Sequence, residues 1–183
     1  MKHSRVIRSA LATTAPLLVM LAALAAAATG TAAPASGAPR LAVFEFELDD
    51  SSASAAPSGE RASDIAILHT VTRDTEEALR KSGRYEVLDA AAVAQSAPTG
   101  QPLRECDGCE APLALKLGAD LAFLGVVSKV EQAAYAVEVQ IRDARTGKVL
   151  TARREVFLGS SSEWSSGVSS LLRRLLSEPK SPP

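Results

Sequence analysis

Residues 121–158 read LAFLGVVSKVEQAAYAVEVQIRDARTGKVLTARREVFL, and this stretch decides the fold. Its opening, Leu121 to Val130, is almost wholly apolar, which predicts a central strand covered on both faces. From Tyr135 the pattern alternates. Tyr135, Val137, Val139 and Ile141 fall on one side and Ala136, Glu138, Gln140 and Arg142 on the other, the signature of a half-exposed strand. Asp143-Ala144-Arg145-Thr146-Gly147-Lys148 predicts a hairpin turn, and Val149 to Leu158 returns as the partner strand. Beyond it, Ser160-Ser161-Ser162-Glu163 fits a capping box. It opens a helix with Trp164, Val168, Leu171, Leu172 and Leu175 on one side and Pro179 at its end. Trp164 reads as core packing.

Toward the N-terminus, Pro112 to Leu117 predicts a short helix, with proline early, where its missing N–H costs nothing. Ser96 to Arg104 reads as a Pro/Gly loop, Ala90 to Gln95 as a helical turn and Tyr85 to Leu88 as a short strand. Between Glu60 and Lys81 the period is helical, with Ile65, Leu68, Val71 or Thr72, Thr75, Ala78 and Leu79 on one stripe. Arg80, Lys81 and Gly83 supply a basic last turn and a stop. Asp49 to Gly59 is a loop. Leu41 to Leu48 is the first strand, with Ala42, Phe44, Phe46 and Leu48 sharing one face and Glu45 and Glu47 on the other. The order β-α-β-(α)-β-β-β-α predicts an α/β (α+β) fold, a mixed sheet of about five strands with helices packed on it.

The first forty residues lie outside this pattern. Lys2, Arg5 and Arg8 precede an apolar run from Leu11 to about Ala28, followed by Gly30, Thr31, Ala32 and Ala33. A basic start, an apolar middle and a small-residue exit make a cleavable secretory signal over residues 1–33. No Cys stands near the exit, which disfavours a lipid anchor. The expected organisation is therefore signal 1–33, flexible leader 34–40, one secreted domain over 41–178 and a tail over 179–183. Removing the signal leaves 17 basic residues against 21 acidic ones, a net charge of −4. A mildly acidic domain with no basic stripe argues against nucleic acid, and no membrane span is expected after cleavage.

Several motifs are specific enough to identify a relationship. Cys106-Asp107-Gly108-Cys109-Glu110 is followed by Leu117-Gly118-Ala119-Asp120. Lys129 stands before the last pair of strands, and Arg142-Asp143 and Thr146-Gly147 mark their hairpin. Ser82-Gly83-Arg84-Tyr85-Glu86-Val87 and Trp164-x-x-Gly167 complete the set. From about Leu41 to Leu176 the chain resembles a family of secreted bacterial domains of unknown function (the DUF2380/DUF3280 type), in which C-x-x-C-E precedes an L-G-A-D strand. It departs from the family at Glu131 and Gln132, where relatives carry Ser-Asn. It departs again at Leu158-Gly159-Ser160-Ser161-Ser162, where they carry Arg-Gly-Asn-Thr-Asp, so a ligand site built from that run does not carry over. The strand–helix–strand opening with Val43-Phe44-Glu45-Phe46 is also similar to the N-terminal domain of TolB and to CsgG-like periplasmic domains. That resemblance implies a fold and, more weakly, a role as an assembly or interaction module.

Cys106-x-x-Cys109 is the strongest local chemical motif, and it has three readings. Export permits a structural disulfide closing a turn. A thioredoxin-like redox pair needs a stabilised thiolate, and Glu105, Asp107 and Glu110 oppose that, with Arg104 as compensation. Two thiolates are also half of a zinc site, but the mature chain carries a single His, His69, some forty residues away. Covalent haem needs His where Glu110 stands. Glu47, Asp49 and Asp50, at the end of the first strand, are candidates for a ligand or cation. His69 reads as a partly buried surface residue, and no Gly-x-Ser-x-Gly marks a nucleophile. No catalytic residue, metal or cofactor is assigned, and the enzyme question leans to no. The expectation is a secreted or periplasmic non-catalytic accessory or interaction domain whose partner is another periplasmic or envelope protein. The alternatives are a thiol–disulfide protein using Cys106 and Cys109, and a small-ligand binder using the Asp49–Gly59 loop.

Overall fold

The computed structural model describes residues 37–50, 62–94, 101–131 and 133–179. The signal segment and the outer parts of the expected leader, of the loops after Asp49 and Gln95 and of the C-terminal tail lie outside the described residues. The elements are β1 (Arg40–Val43), β2 (Glu47–Asp50), α1 (Ala62–Lys81), β3 (Glu86–Asp89), α2 (Ala91–Ala94), α3 (Glu110–Lys116), β4 (Leu121–Glu131), β5 (Ala134–Asp143), β6 (Val149–Leu158) and α4 (Trp164–Ser177). Short 3₁₀ turns at Leu103–Glu105 and Ser161–Glu163 precede α3 and α4.

One mixed sheet runs β3-β1-β4-β5-β6, with β2 also on β4. The pairs of β1 with β3 and β4, and of β2 with β4, are parallel; β4–β5 and β5–β6 are antiparallel. The α/β class and the strand–helix order therefore stand. The sheet has six strands because the expected first strand is split in two.

The split changes which residues share a face. Val43 lies opposite Phe123 and Glu47 opposite Val126. Four steps along the first strand thus match three along β4, a one-residue bulge. Phe44 still donates its N–H to Phe123 O (3.0 Å), while the Phe46 N–H, off the ladder, finds the Thr72 hydroxyl on α1 at 2.9 Å. The side chains consequently exchange faces at the bulge. Leu41, Val43, Phe46 and Leu48 join the core beneath α1 and α4, and Ala42 and Phe44 join the smaller core opposite. The simple alternation that grouped Ala42, Phe44, Phe46 and Leu48 is corrected accordingly. Gly125 makes the arrangement possible, because a Cβ there would overlap the Phe46 ring.

Two helices seal one face of the sheet. Leu68, Val71 and Leu79 of α1 and Trp164, Val168, Leu171, Leu172 and Leu175 of α4 pack on Phe123, Val127, Tyr135, Val137 and Val139. The stripe on α1 is offset from the expected one: Ile65 is exposed and Asp64 is buried. Asp64 goes inside because Lys129 Nζ meets it at 2.8 Å and also meets Asp50 at 2.8 Å, while lying over the Trp164 ring. Burial works against the Lys129 charge, but the two carboxylate hydrogen bonds outweigh it and hold the ammonium above the usual lysine range. At the start of α4, Glu163 closes the capping box by accepting from the Ser160 N–H (2.9 Å) and from the Ser160 and Ser162 hydroxyls.

The other face is covered only in part. The small core there, around Ala42, Phe44, Leu103, Leu113, Ala114 and Ala122, is roofed by α2, the turn at 103–105 and α3. The α3 helix begins at Glu110, two residues earlier than expected, with Pro112 still inside the first turn, where backbone N–H groups lack helical partners. Beyond Leu124 the roof stops. Thus β4 is covered on both faces only over its first half, and Val126 and Ser128 face the open side.

Candidate functional site

The end of the roof leaves a groove of about 510 Å³ on the open face. Leu124 and Val126 of β4 and Glu138, Gln140 and Arg142 of β5 form its floor. Asp49, Arg104, Glu105 and the 106–110 segment form its rim. The outward half of β5, predicted from alternation as a solvated face, supplies the polar floor.

Arg142 is the hub. Its Nη2 donates to Asp107 Oδ1 (3.0 Å) and Gln140 Oε1 (3.2 Å), and its Nη1 to Gly147 O (3.1 Å). Its Nε stands 2.8 Å from Glu110 Oε1. That is a charge contact with poor N–H alignment, so Arg142 Nε and Glu110 Oε2 both lack a hydrogen-bond partner within the protein. Glu110 is 1% exposed. Burial pushes its carboxyl above the ordinary carboxylate range, and its own backbone N–H and the Arg142 charge pull in the opposite direction. Further along, Gln140 Nε2 donates to Glu138 Oε1 (2.8 Å), and Glu138 Oε2 faces Arg154 Nε at 3.8 Å. The result is a continuous polar ladder from Glu110 to Arg154 across β5.

The cysteines sit on the rim. Cys106 and Cys109 form a disulfide with their Cα atoms 5.6 Å apart, closing the turn that leads into α3. Gly108, at φ +87°, carries the chain over the Arg142 guanidinium where a side chain would be strained. The loop thereby sets Asp107 and Glu110 on either side of Arg142.

The three carboxylates proposed from sequence do not converge. Glu47 and Asp49 share the open side of β2, whereas Asp50 turns to the helical side and pairs with Lys129. Glu47 anchors the rim: its Oε1 accepts from the Leu103 N–H (2.6 Å), and its Oε2 accepts from the Arg104 N–H (2.9 Å) with the guanidinium at 3.4 Å. Among the described residues no group of three or more His, Cys, Asp or Glu side chains is placed to hold a metal ion. His69 is exposed and pairs with Glu45 across the bulge. Sequence reading missed Arg142, Glu110 and Arg104 as a set. The signal was present, since Glu110 and Arg142 both stand in the motifs shared with the family.

The family model DUF3280, described as a protein of unknown function (DUF2380), matches residues 39–176. The chain belongs to this family. Its match spans every element from β1 to α4, so groove, disulfide turn and Lys129 cluster all lie inside the family domain. No curated protein matches the chain. Among solved structures it is similar to the LpoB C-terminal domain from Salmonella enterica, at 14% identity over 67% of this chain and 84% of that one (TM-score 0.47). It is similar to PelC from Paraburkholderia phytofirmans, at 19% over 77% and 86% (0.46). It is also similar to TolB from Acinetobacter baumannii, at 16% over 76% of this chain and 28% of that one (0.42). Among the described residues no helix is long and apolar enough to cross a membrane.

Proposed function

We propose that the chain is an exported, non-catalytic accessory domain that binds another periplasmic or envelope protein through the open groove. The observation that carries this reading is the groove itself. Its charged floor groups hold one another in a fixed ladder, and carboxylates outnumber guanidinium groups among the lining residues by five to two. A preorganised acidic surface of that kind favours a partner segment bearing a basic side chain. The basic start, apolar run and small-residue exit of residues 1–33 support export of the single domain behind them. The thiol–disulfide alternative is the weaker one, because both sulfurs are tied to each other beside acidic neighbours that disfavour a thiolate.

The test places a photo-crosslinking residue at Gln140, on the groove floor, and separately at Glu77, exposed on α1. A discrete envelope-protein adduct from position 140 and none from 77 is expected. No adduct at 140, or the same adduct from both, overturns the reading. N-terminal sequencing of the exported protein checks signal removal: a start between about Thr29 and Pro39 is expected, and a retained Met1 overturns cleavage.

A further inference from the structure

β6 is an edge strand. It pairs with β5 on one side, and among the described residues no strand lies on the other. The opposite edge, β3, is four residues long, whereas β6 runs for ten. Long exposed edges invite pairing with another chain and are normally blunted by charge, proline or cover. Here charge is confined to the middle, at Arg153-Arg154-Glu155, and apolar residues flank it on both sides. Leu150, Val156 and Leu158 are 51%, 59% and 85% exposed.

This arrangement is nearly palindromic. We infer that β6 pairs antiparallel with β6 of a second copy of this chain, about a two-fold axis at Arg154. The proposal concerns the sheet edge and meets the groove only where Arg154 pairs with Glu138.

The register follows from geometry. Directly opposite residues in an antiparallel pair point to the same face, so a symmetric pairing must be centred on a residue. Centred on Arg154, Arg153 lies opposite Glu155, Ala152 opposite Val156, Thr151 opposite Phe157 and Leu150 opposite Leu158, each pair occurring twice. Centred on Arg153, that arginine faces its own copy and Thr151 faces Glu155. Centred on Glu155, glutamate faces glutamate and Arg153 faces Phe157. Of these, the Arg154 axis alone sets opposite charges together, which stabilises cross-strand pairs, whereas like charges destabilise them.

Existing ion pairs extend this complementarity. Arg153 is held by Glu178 (2.6 Å) and Glu155 by Arg174 (2.9 Å). Across the axis they line up as Glu178–Arg153 of one copy and Glu155–Arg174 of the other, with alternating sign. The Arg154 pair on the axis has an outlet, since each guanidinium lies beside Glu138 of its own β5. A two-fold interface of this kind is self-complementary and closes at two copies. It joins two six-stranded sheets edge to edge and covers Val156 and Leu158.

The test uses the exported full domain with its native disulfide intact. Light scattering on the wild type is expected to give the mass of two chains, and Val156→Asp with Leu158→Asp the mass of one, at an unchanged circular dichroism spectrum. Opposite Cβ atoms on a two-fold axis lie about 4.5–5.5 Å apart, close enough for a disulfide after small adjustment. Arg154→Cys should therefore form a covalent dimer on oxidation. Ala152→Cys and Val156→Cys should crosslink when mixed and not singly. A single-chain mass at the highest soluble concentration, or crosslinking of Ala152→Cys alone as efficient as that of Arg154→Cys, overturns the proposal.

Discussion

The two faces of the sheet are built on different principles. The face beneath α1 and α4 is filled by Phe46, Phe123, Tyr135 and Trp164, interlocked so closely that Gly125 and Gly167 have no room for a Cβ against Phe46 and Tyr135. The opposite face is packed largely with alanine, at Ala42, Ala90, Ala114, Ala119, Ala122 and Ala144, and short helices lie flat on it before giving way to the groove. These rings, with the leucines and valines around them, bury more apolar surface than the alanines opposite. The alanine face supplies close approach and leaves polar groups of β5 accessible. The larger apolar core lies on one side and the accessible polar groups lie on the other.

The comparison breaks most visibly at Gly125. Gly125→Val drives a branched side chain into the Phe46 ring and should cost about 3 kcal/mol or more, read as a loss of the cooperative urea transition or a large fall in its midpoint. If the variant unfolds like the wild type, Phe46 has an alternative seat and the bulge is not fixed by this contact. A smaller effect is expected at the polar end of the same face. Lys129→Met removes the partner of buried Asp64 and should cost about 3 kcal/mol, less whatever water reaches the site. A variant as stable as the wild type would mean that the cluster serves geometry alone.

The smallest effect lies on the open face and concerns pH. Burial raises the Glu110 carboxyl above its reference value of 4.5. A carboxyl raised on folding contributes its full stability below the unfolded-state value, and that contribution is lost as pH rises through the folded-state value. Glu110→Gln removes the titration. The stability of the wild type relative to this variant should therefore decline from pH 4.5 toward neutrality, measured by urea unfolding at several pH values. A difference that instead grows toward neutral pH would show that the attraction of Arg142 outweighs burial.

The region from Leu121 to Leu175 is readable because its signals are local. Apolar continuity marks β4, strict alternation marks β5, and Asp143 accepts from the Arg145 and Thr146 N–H groups to hold the turn that its sequence predicts. The first strand misleads because Phe44-Glu45-Phe46 mimics regular alternation. The bulge depends on Gly125 and on the Thr72 hydroxyl, both distant in sequence. Asp64 and Ile65 exchange roles on α1 for a similar reason: only contact with Lys129 makes a carboxylate the inward residue. At the groove, Glu47 is visible as an acidic residue near a strand end. Its task of holding the Leu103 and Arg104 N–H groups is not, because it joins positions 56 and 57 residues apart.

The bulge in the first strand can also be understood as a shift of reading frame. Residues 41–43 and 47–50 keep the spacing of β4 on either side, and a single extra residue among 44–46 sets the two stretches out of phase. Without Glu45 the chain would read Leu41-Ala42-Val43-Phe44-Phe46-Glu47-Leu48-Asp49, an unbroken alternation with every side chain on the face it now occupies. The inserted position places Glu45 beside His69 and leaves Glu47 and Asp49 on the groove side. In this strand an ancestral gain or loss of one residue need not scramble the code downstream, because the backbone can absorb it as a loop of one letter.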